Sequence, residues 1–179
     1  NLFLNNKKTS VTIKSISSED FPTIPAVEGQ SFEIETEKFI DGIKAVFYSS
    51  ATNDIKPEIS SVYIYSNENN LFFVSTDSFR LAEKSIKTKK PADVEGLIIP
   101  FKNVLEIIKL LSDVKGDMKV YYNKNQISFV LQGFYLTSRL INGSFPDYRQ
   151  IVPKEYKTRA ILIKKDFIDA IRLSNIFSD

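Results

Sequence analysis

A ten-residue pattern occurs twice in this chain, and it constrains folding more than any other feature: "KFIDGIKAVF" at 38–47 returns as "DFIDAIRLSN" at 166–175. Phe39, Ile40, Asp41 and Ile43 recur as Phe167, Ile168, Asp169 and Ile171, while Gly42 becomes Ala170 and Lys44 becomes Arg172. Each copy follows a short alternating run, "SFEIE" or "RAILIKK". A second echo has nearly the same spacing, "VTIKSISSEDFPTI" at 11–24 against "YLTSRLINGSFPDY" at 135–148. Two similarities at one interval point to repeated modules, each forming the same local structure. Residues 1–30 are therefore expected to end one module, 31–153 to form a whole one, and 154–179 to begin a third. The chain is expected to be an excerpt of a longer protein.

Within the whole module, Phe39, Ile40, Ile43 and Phe47 return at helical spacing, as do Val104, Leu105, Ile108 and Leu111, with charged residues opposite. Amphipathic helices are predicted over 37–49 and 101–113. Pro100 sits at the entry to the second, where its fixed φ is tolerated. Strands are predicted at 32–35, 58–66, 70–77, 80–87, 95–99, 117–123, 125–131 and 133–141, with "SNENN" and "NKN" supplying hairpin turns. Two such helices with about eight strands make an α+β architecture, helices laid on antiparallel sheet. Six-stranded sheets around the two helices are expected in residues 31–153.

Composition narrows the chemistry. The 179 residues are 42% hydrophobic and 26% charged, enough to bury a core. No apolar run approaches the ~20 residues that cross a bilayer, so a membrane is not expected and the cytoplasm is the expected compartment. The chain has no Cys, hence no disulfide, thiolate nucleophile or sulfur metal site. It has no His either, which removes the commonest general base and metal ligand. A formal charge of +2 is too small to identify a partner, so charge placement must decide.

The stretch "FFVSTDSFRLAEKSI" at 72–86 sets Asp77, Ser78 and Arg80 in a turn between two alternating runs. One reading is structural: Asp77 caps its own backbone and Arg80 pairs with a neighbouring carboxylate. The other is a docking site built around the turn. Asp54, Glu58 and Asp77 are the carboxylates a metal-dependent enzyme would use, but they sit in no ligand pattern, and no metal or cofactor is expected.

Three stretches carry a resemblance. "STDSFRLA" at 75–82 resembles a T-D-G/S-x-R-L-A signature, "GLIIPFKNVLEIIKLL" a strand-to-helix junction, and "RLINGSFPDYRQIVP" at 139–153 an F-P-D-Y-R linker. All three, in this order, belong to the β sliding clamp family of bacterial DNA polymerase III, which the chain resembles over essentially its whole length. The resemblance implies the clamp fold, with three similar domains per subunit, two helices per domain facing the interior of a ring, and a head-to-tail homodimer. It implies a non-catalytic processivity factor that encircles duplex DNA without reading sequence.

Its implied partners are the polymerase III catalytic subunit, the clamp loader, other polymerases and repair proteins, all carrying short linear motifs. The implied peptide groove uses Ile59, Thr76, Ser78, Phe79, Arg80, Leu81, Pro146, Gln150 and Ile151. Leu81, Ile59, Ile151 and Pro146 would take up an apolar anchor, while Thr76 and Arg80 orient the peptide. Phe79 stands where many members have His, and Gln150 where a basic residue is frequent, which leans peptide preference towards apolar motifs. The family's groove is completed late in a third domain, so this segment alone is expected to bind weakly. Lys38, Lys44, Lys102, Lys109 and Arg172 are the implied DNA-facing residues. Lys102 and Lys109 lie seven apart and so on one helix face, although Glu37, Asp41 and Glu106 dilute the charge and a solvated face explains the same lysines.

Overall fold

The computed structural model describes residues 1–17, 19, 21, 23, 26–53, 55–89, 92–131 and 133–176. The chain divides into two compact units, Asn1–Phe145 and Pro146–Asp179.

The first unit opens with a hairpin, β1 (Leu2–Asn6) and β2 (Thr9–Ile13), in which Leu2 faces Ile13 and Leu4 faces Val11. No element is assigned there from the sequence, although "SVTI" alternates. The following elements are β3 (Gln30–Glu35), α1 (Thr36–Lys44), β4 (Ser61–Asn67), β5 (Asn70–Thr76) and β6 (Leu81–Lys87). They continue as β7 (Leu97–Pro100), α2 (Phe101–Leu111), β8 (Asp117–Tyr122), β9 (Gln126–Leu131) and β10 (Phe134–Arg139). All eight expected strands form, in two four-stranded antiparallel sheets of order β10-β9-β8-β3 and β6-β5-β4-β7. Among the described residues the expected six-stranded sheets do not form. After β3 the chain leaves through α1 and builds the second sheet as a meander, and α2 returns it to pair β8 with β3, so the helices split the strands into two sets.

Alternation decides what each strand buries. Phe32 lies opposite Val120 and Val120 opposite Phe129 in the first sheet, while Ile64 lies opposite Phe73 and Leu97 in the second, and these residues share one core. The helices close that core with Phe39, Ile40 and Ile43 of α1 and Val104, Ile107 and Leu111 of α2. Phe39 bridges the sheets, its ring centroid 5.4 Å from Phe73 and 5.3 Å from Phe129. Gly42 makes that contact possible, since a Cβ there would lie 2.5 Å from the Phe73 ring.

Three expectations shift. Helix α1 ends at Lys44, and Phe47–Ser49 form a separate 3-10 turn; the β-branched and aromatic residues at 46–48 lose side-chain freedom in a helix and support it less than straight-chain residues would. Strand β4 starts at Ser61 because the Ile59 and Ser60 N–H groups both turn back to the Lys56 carbonyl, each at 3.1 Å. On α2 the buried stripe runs through Ile107, at 1% exposure, whereas Leu105 is 41% exposed: residues 104, 107 and 111 share a face and 105 is rotated off it.

The second unit holds a 3-10 turn at Tyr148–Gln150 and helix α3 (Lys164–Ile176). The second copy of the repeated pattern is thus helical like the first. The alternating run before it, residues 159–163, forms no strand.

Candidate functional site

The turn between β5 and β6 is held by its own polar groups. The Thr76 hydroxyl donates to the Arg80 carbonyl at 2.8 Å and accepts the Ser78 N–H at 3.1 Å. Asp77 Oδ1 accepts the N–H groups of Phe79 and Arg80 at 3.0 and 2.9 Å, and its Oδ2 meets Arg80 Nε at 2.9 Å. The Arg80 and Phe79 amides, followed by the Arg80 guanidinium, hold the Asp77 carboxyl below the usual carboxylate range. Ser78 sits at φ 76°, the left-handed conformation that lets the chain reverse here. The structural reading of the turn is therefore realised in full, and it has a surface consequence. With Thr76, Asp77 and Arg80 engaged in the turn, Phe79 projects with 97% exposure and Leu81 stays half-buried beside Thr76.

Thr76 and Leu81 close one end of the outer face of the second sheet. Along that face follow Val74 opposite Glu83 and Tyr63, then Phe72 opposite Ser85 and Tyr65. Tyr65 stacks on Phe72 at 5.0 Å, and Tyr63 stacks on Phe145 at 4.8 Å with the rings 6° from parallel. The Ile141 N–H donates to the Ile98 carbonyl at 2.9 Å, so the chain leaving β10 is pinned to β7 just before Phe145. Sequence reading missed this aromatic column. Its local signal is the alternation in "VYIY", but Phe145 lies too far along the chain for periodicity to reveal.

Ile59 is half-buried in the loop before β4, where its carbonyl accepts the Ala51 N–H at 3.1 Å. In the second unit, Pro146 is exposed and its carbonyl accepts the Tyr148 N–H at 2.8 Å. Gln150 Nε2 donates to Asp147 Oδ2 at 2.8 Å, and Ile151 is 71% exposed. Asp54, one of the three carboxylates considered for metal chemistry, lies outside the described residues. Among the described residues no three acidic groups gather as metal ligands, and the Asp77 carboxylate is occupied by its own turn.

The second candidate surface is the solvent side of α1 and α2, which pack beside each other. Lys38, Lys44, Lys102 and Lys109 are all exposed there, with Glu37, Asp41 and Glu106 among them. Lys38 pairs with Glu35 at 3.1 Å and Lys109 with Glu106 at 3.8 Å. Arg172, on α3 of the other unit, pairs with Asp169 at 3.5 Å. Exposed pairs of this kind are worth little and yield readily to a competing phosphate. Such a surface can attract a polyanion without gripping it.

Comparison with known proteins fits this architecture. The sequence profile described as "DNA polymerase III beta subunit, central domain" matches residues 33–147. A beta sliding clamp of Rickettsia bellii is 25% identical over 175 residues, covering 95% of this chain and 46% of that protein. The DNA polymerase III beta subunit of Pseudomonas aeruginosa superimposes with a TM-score of 0.77 at 26% identity, over 86% of this chain and 42% of the other. The Bacillus subtilis sliding clamp shares the fold with a TM-score of 0.89 at 23% identity, over 99% of this chain and 47% of its own. The chain spans about half the length of the curated relatives it matches. The α+β arrangement of two four-stranded sheets and two helices is thus the clamp fold, and the chain belongs to the DNA polymerase III beta subunit family.

Proposed function

We propose that this chain is a segment of a ring-shaped processivity clamp, a non-catalytic subunit that encircles duplex DNA and tethers a polymerase to it. The observation that carries the reading is the family match over 33–147 on a module whose two helices share one lysine-bearing surface. In that reading residues 1–30 end the first clamp domain, 31–153 form the second and 154–179 begin the third. The whole protein closes as a homodimer in the bacterial cytoplasm, at the nucleoid. Lys38, Lys44, Lys102, Lys109 and Arg172 face DNA and supply salt-dependent attraction to phosphates, which favours sliding over sequence reading. The test is topological. The full-length protein loaded on circular DNA should survive a high-salt wash and be lost when the circle is cut; retention indifferent to cutting rejects the ring.

Ile59, Thr76, Ser78, Phe79, Arg80 and Leu81, with Pro146, Gln150 and Ile151, form the proposed contact set for short linear peptides. The partners are the catalytic subunit, the clamp loader, other polymerases and repair proteins. The support is the pinned turn, which holds Leu81 and Phe79 at the surface with no polar group of their own to satisfy. Leu81→Asp or Ile151→Asp should abolish peptide binding in fluorescence polarisation while the circular dichroism spectrum stays native. Unchanged affinity rejects the assignment.

A further inference from the structure

Buried serine hydroxyls meet where β4 begins and β5 ends, and none of the roles above uses them. Ser50, Ser61 and Ser75 are all buried. The Ser50 N–H closes the 3-10 turn on the Phe47 carbonyl at 3.1 Å. Its hydroxyl donates to the Ser61 carbonyl at 3.0 Å and meets the Ser75 hydroxyl at 2.6 Å. Each hydroxyl carries one proton, so Ser50, having given its own to the carbonyl, accepts from Ser75. Donation therefore runs from Ser75 to Ser50 to Ser61. Burying hydroxyls is unfavourable unless they are paired, and an end of the sheet held by apolar packing alone would need none of them.

What this relay joins gives it a use. Ser75 precedes Thr76, whose hydroxyl organises the turn that presents Leu81. Ser50 precedes Ala51, whose N–H donates to the Ile59 carbonyl at 3.1 Å. The loop carrying Ile59 is also tied by the Ser61 hydroxyl to the Glu58 carbonyl and by the Ser60 hydroxyl to the Asn53 carbonyl. The β4–β5 register runs to Tyr63 opposite Val74, and beyond that pair the serine relay spans from β5 to the Ser61 carbonyl of β4. We propose, on the reading of Ile59, Thr76 and Leu81 as docking residues, that Ser50 and Ser75 are positioning residues for peptide docking: their relay fixes the Ile59 loop relative to the Thr76–Leu81 turn. Both contact segments are then in place before a peptide arrives. Preorganisation of this kind strengthens binding by removing the ordering cost from the binding step, and segments held in place only part of the time weaken apparent affinity by that fraction.

The test has two arms on the isotope-labelled chain. Amide hydrogen exchange without peptide is followed at Ala51 and Ser78, whose N–H groups bond to Ile59 and Thr76, with Phe73 in mid-sheet reporting global stability. Ser50→Ala should speed exchange at both sites beyond any change at Phe73. Ser75→Ala should do less, since Ser50 still reaches the Ser61 carbonyl, and the double variant should add little to Ser50→Ala, as one chain of bonds requires. The second arm titrates the capped dipeptide acetyl-Leu-Phe-amide and follows the Ile59 methyl signals. Ser50→Ala should weaken its binding about threefold or more, and Leu81→Asp should abolish it. Unchanged exchange at Ala51 and Ser78, a change no larger than that at Phe73, or unchanged dipeptide affinity in Ser50→Ala overturns the proposal. Dipeptide binding that ignores Leu81→Asp would sink the docking reading and the proposal with it, and the exchange rates, measured without peptide, tell that result from a failure of the relay alone.

Discussion

The conformation of Ser78 gives a measurable handle on the turn that carries the docking residues. At φ 76° its Cβ crowds the following carbonyl, at a cost of about 1–2 kcal/mol for an L residue. Glycine removes the crowding but loses about 0.5–1 kcal/mol through the greater freedom of its unfolded chain. Ser78→Gly is therefore expected to stabilise the protein by the difference, about 0.8 kcal/mol at mid-range. In a chain of this size that is a rise of about 1–4 °C in Tm. The N–H of residue 78 still reaches Thr76, so the turn geometry is kept. Ser78→Val should move the other way by about 1–3 kcal/mol, because a β-branched residue tolerates positive φ least. Thr76→Val is the control: it removes the hydroxyl that serves both Ser78 and Arg80, at about 1 kcal/mol for each hydrogen bond. Denaturant midpoints at unchanged slope measure all three. If glycine fails to stabilise while valine is tolerated, the turn does not hold its left-handed residue in solution, and the account of how Leu81 and Phe79 are presented fails with it.

Gly42→Ala should destabilise despite the better helix propensity of alanine, because overpacking against the Phe73 ring costs about 1–3 kcal/mol; a neutral urea midpoint would contradict the close approach. Asp77 is held below the ordinary aspartate pKa, so its stabilisation of the turn is complete above about pH 4 and is lost as pH falls through the lower folded value. Amide shifts of Phe79 and Arg80 should report that low midpoint, and one at or above the free-aspartate value refutes the hydrogen-bonding pattern. In the full-length protein on DNA, Lys102→Glu with Lys109→Glu should reduce the slope of log K against log salt by about 2, equally for all sequences; an unchanged slope would place both lysines off the DNA.

The parts of this fold that were legible in the sequence are those set by local periodicity. Phe39, Ile40 and Ile43 announce α1, and the alternation around "TDSFR" announces a hairpin, because neighbours along the chain supply most of the information. What escaped was decided by partners remote in sequence. Whether Leu105 or Ile107 faces inward depends on which way α2 rolls against the sheets. The split into two four-stranded sheets depends on where α2 returns the chain. At the site, the turn was recognisable from residue types alone. The dual use of the Thr76 hydroxyl and the stacking of Phe145 on Tyr63 were not, since one depends on backbone geometry and the other joins residues far apart in the chain.

The repeated pattern separates what packing demands from what it does not. Phe39 is wholly buried in the core, and its counterpart Phe167 holds the same place on a helix of matching sequence. Gly42 is required because the Phe73 ring approaches it, whereas its counterpart is Ala170, the better helix former. The basic position behaves differently from both. Lys44 and Arg172 are exposed in either copy, whatever happens on the opposite face. An exposed side chain is not kept basic by core packing, and two exposed basic positions on helices of matching sequence fit the proposed salt-dependent attraction to phosphates.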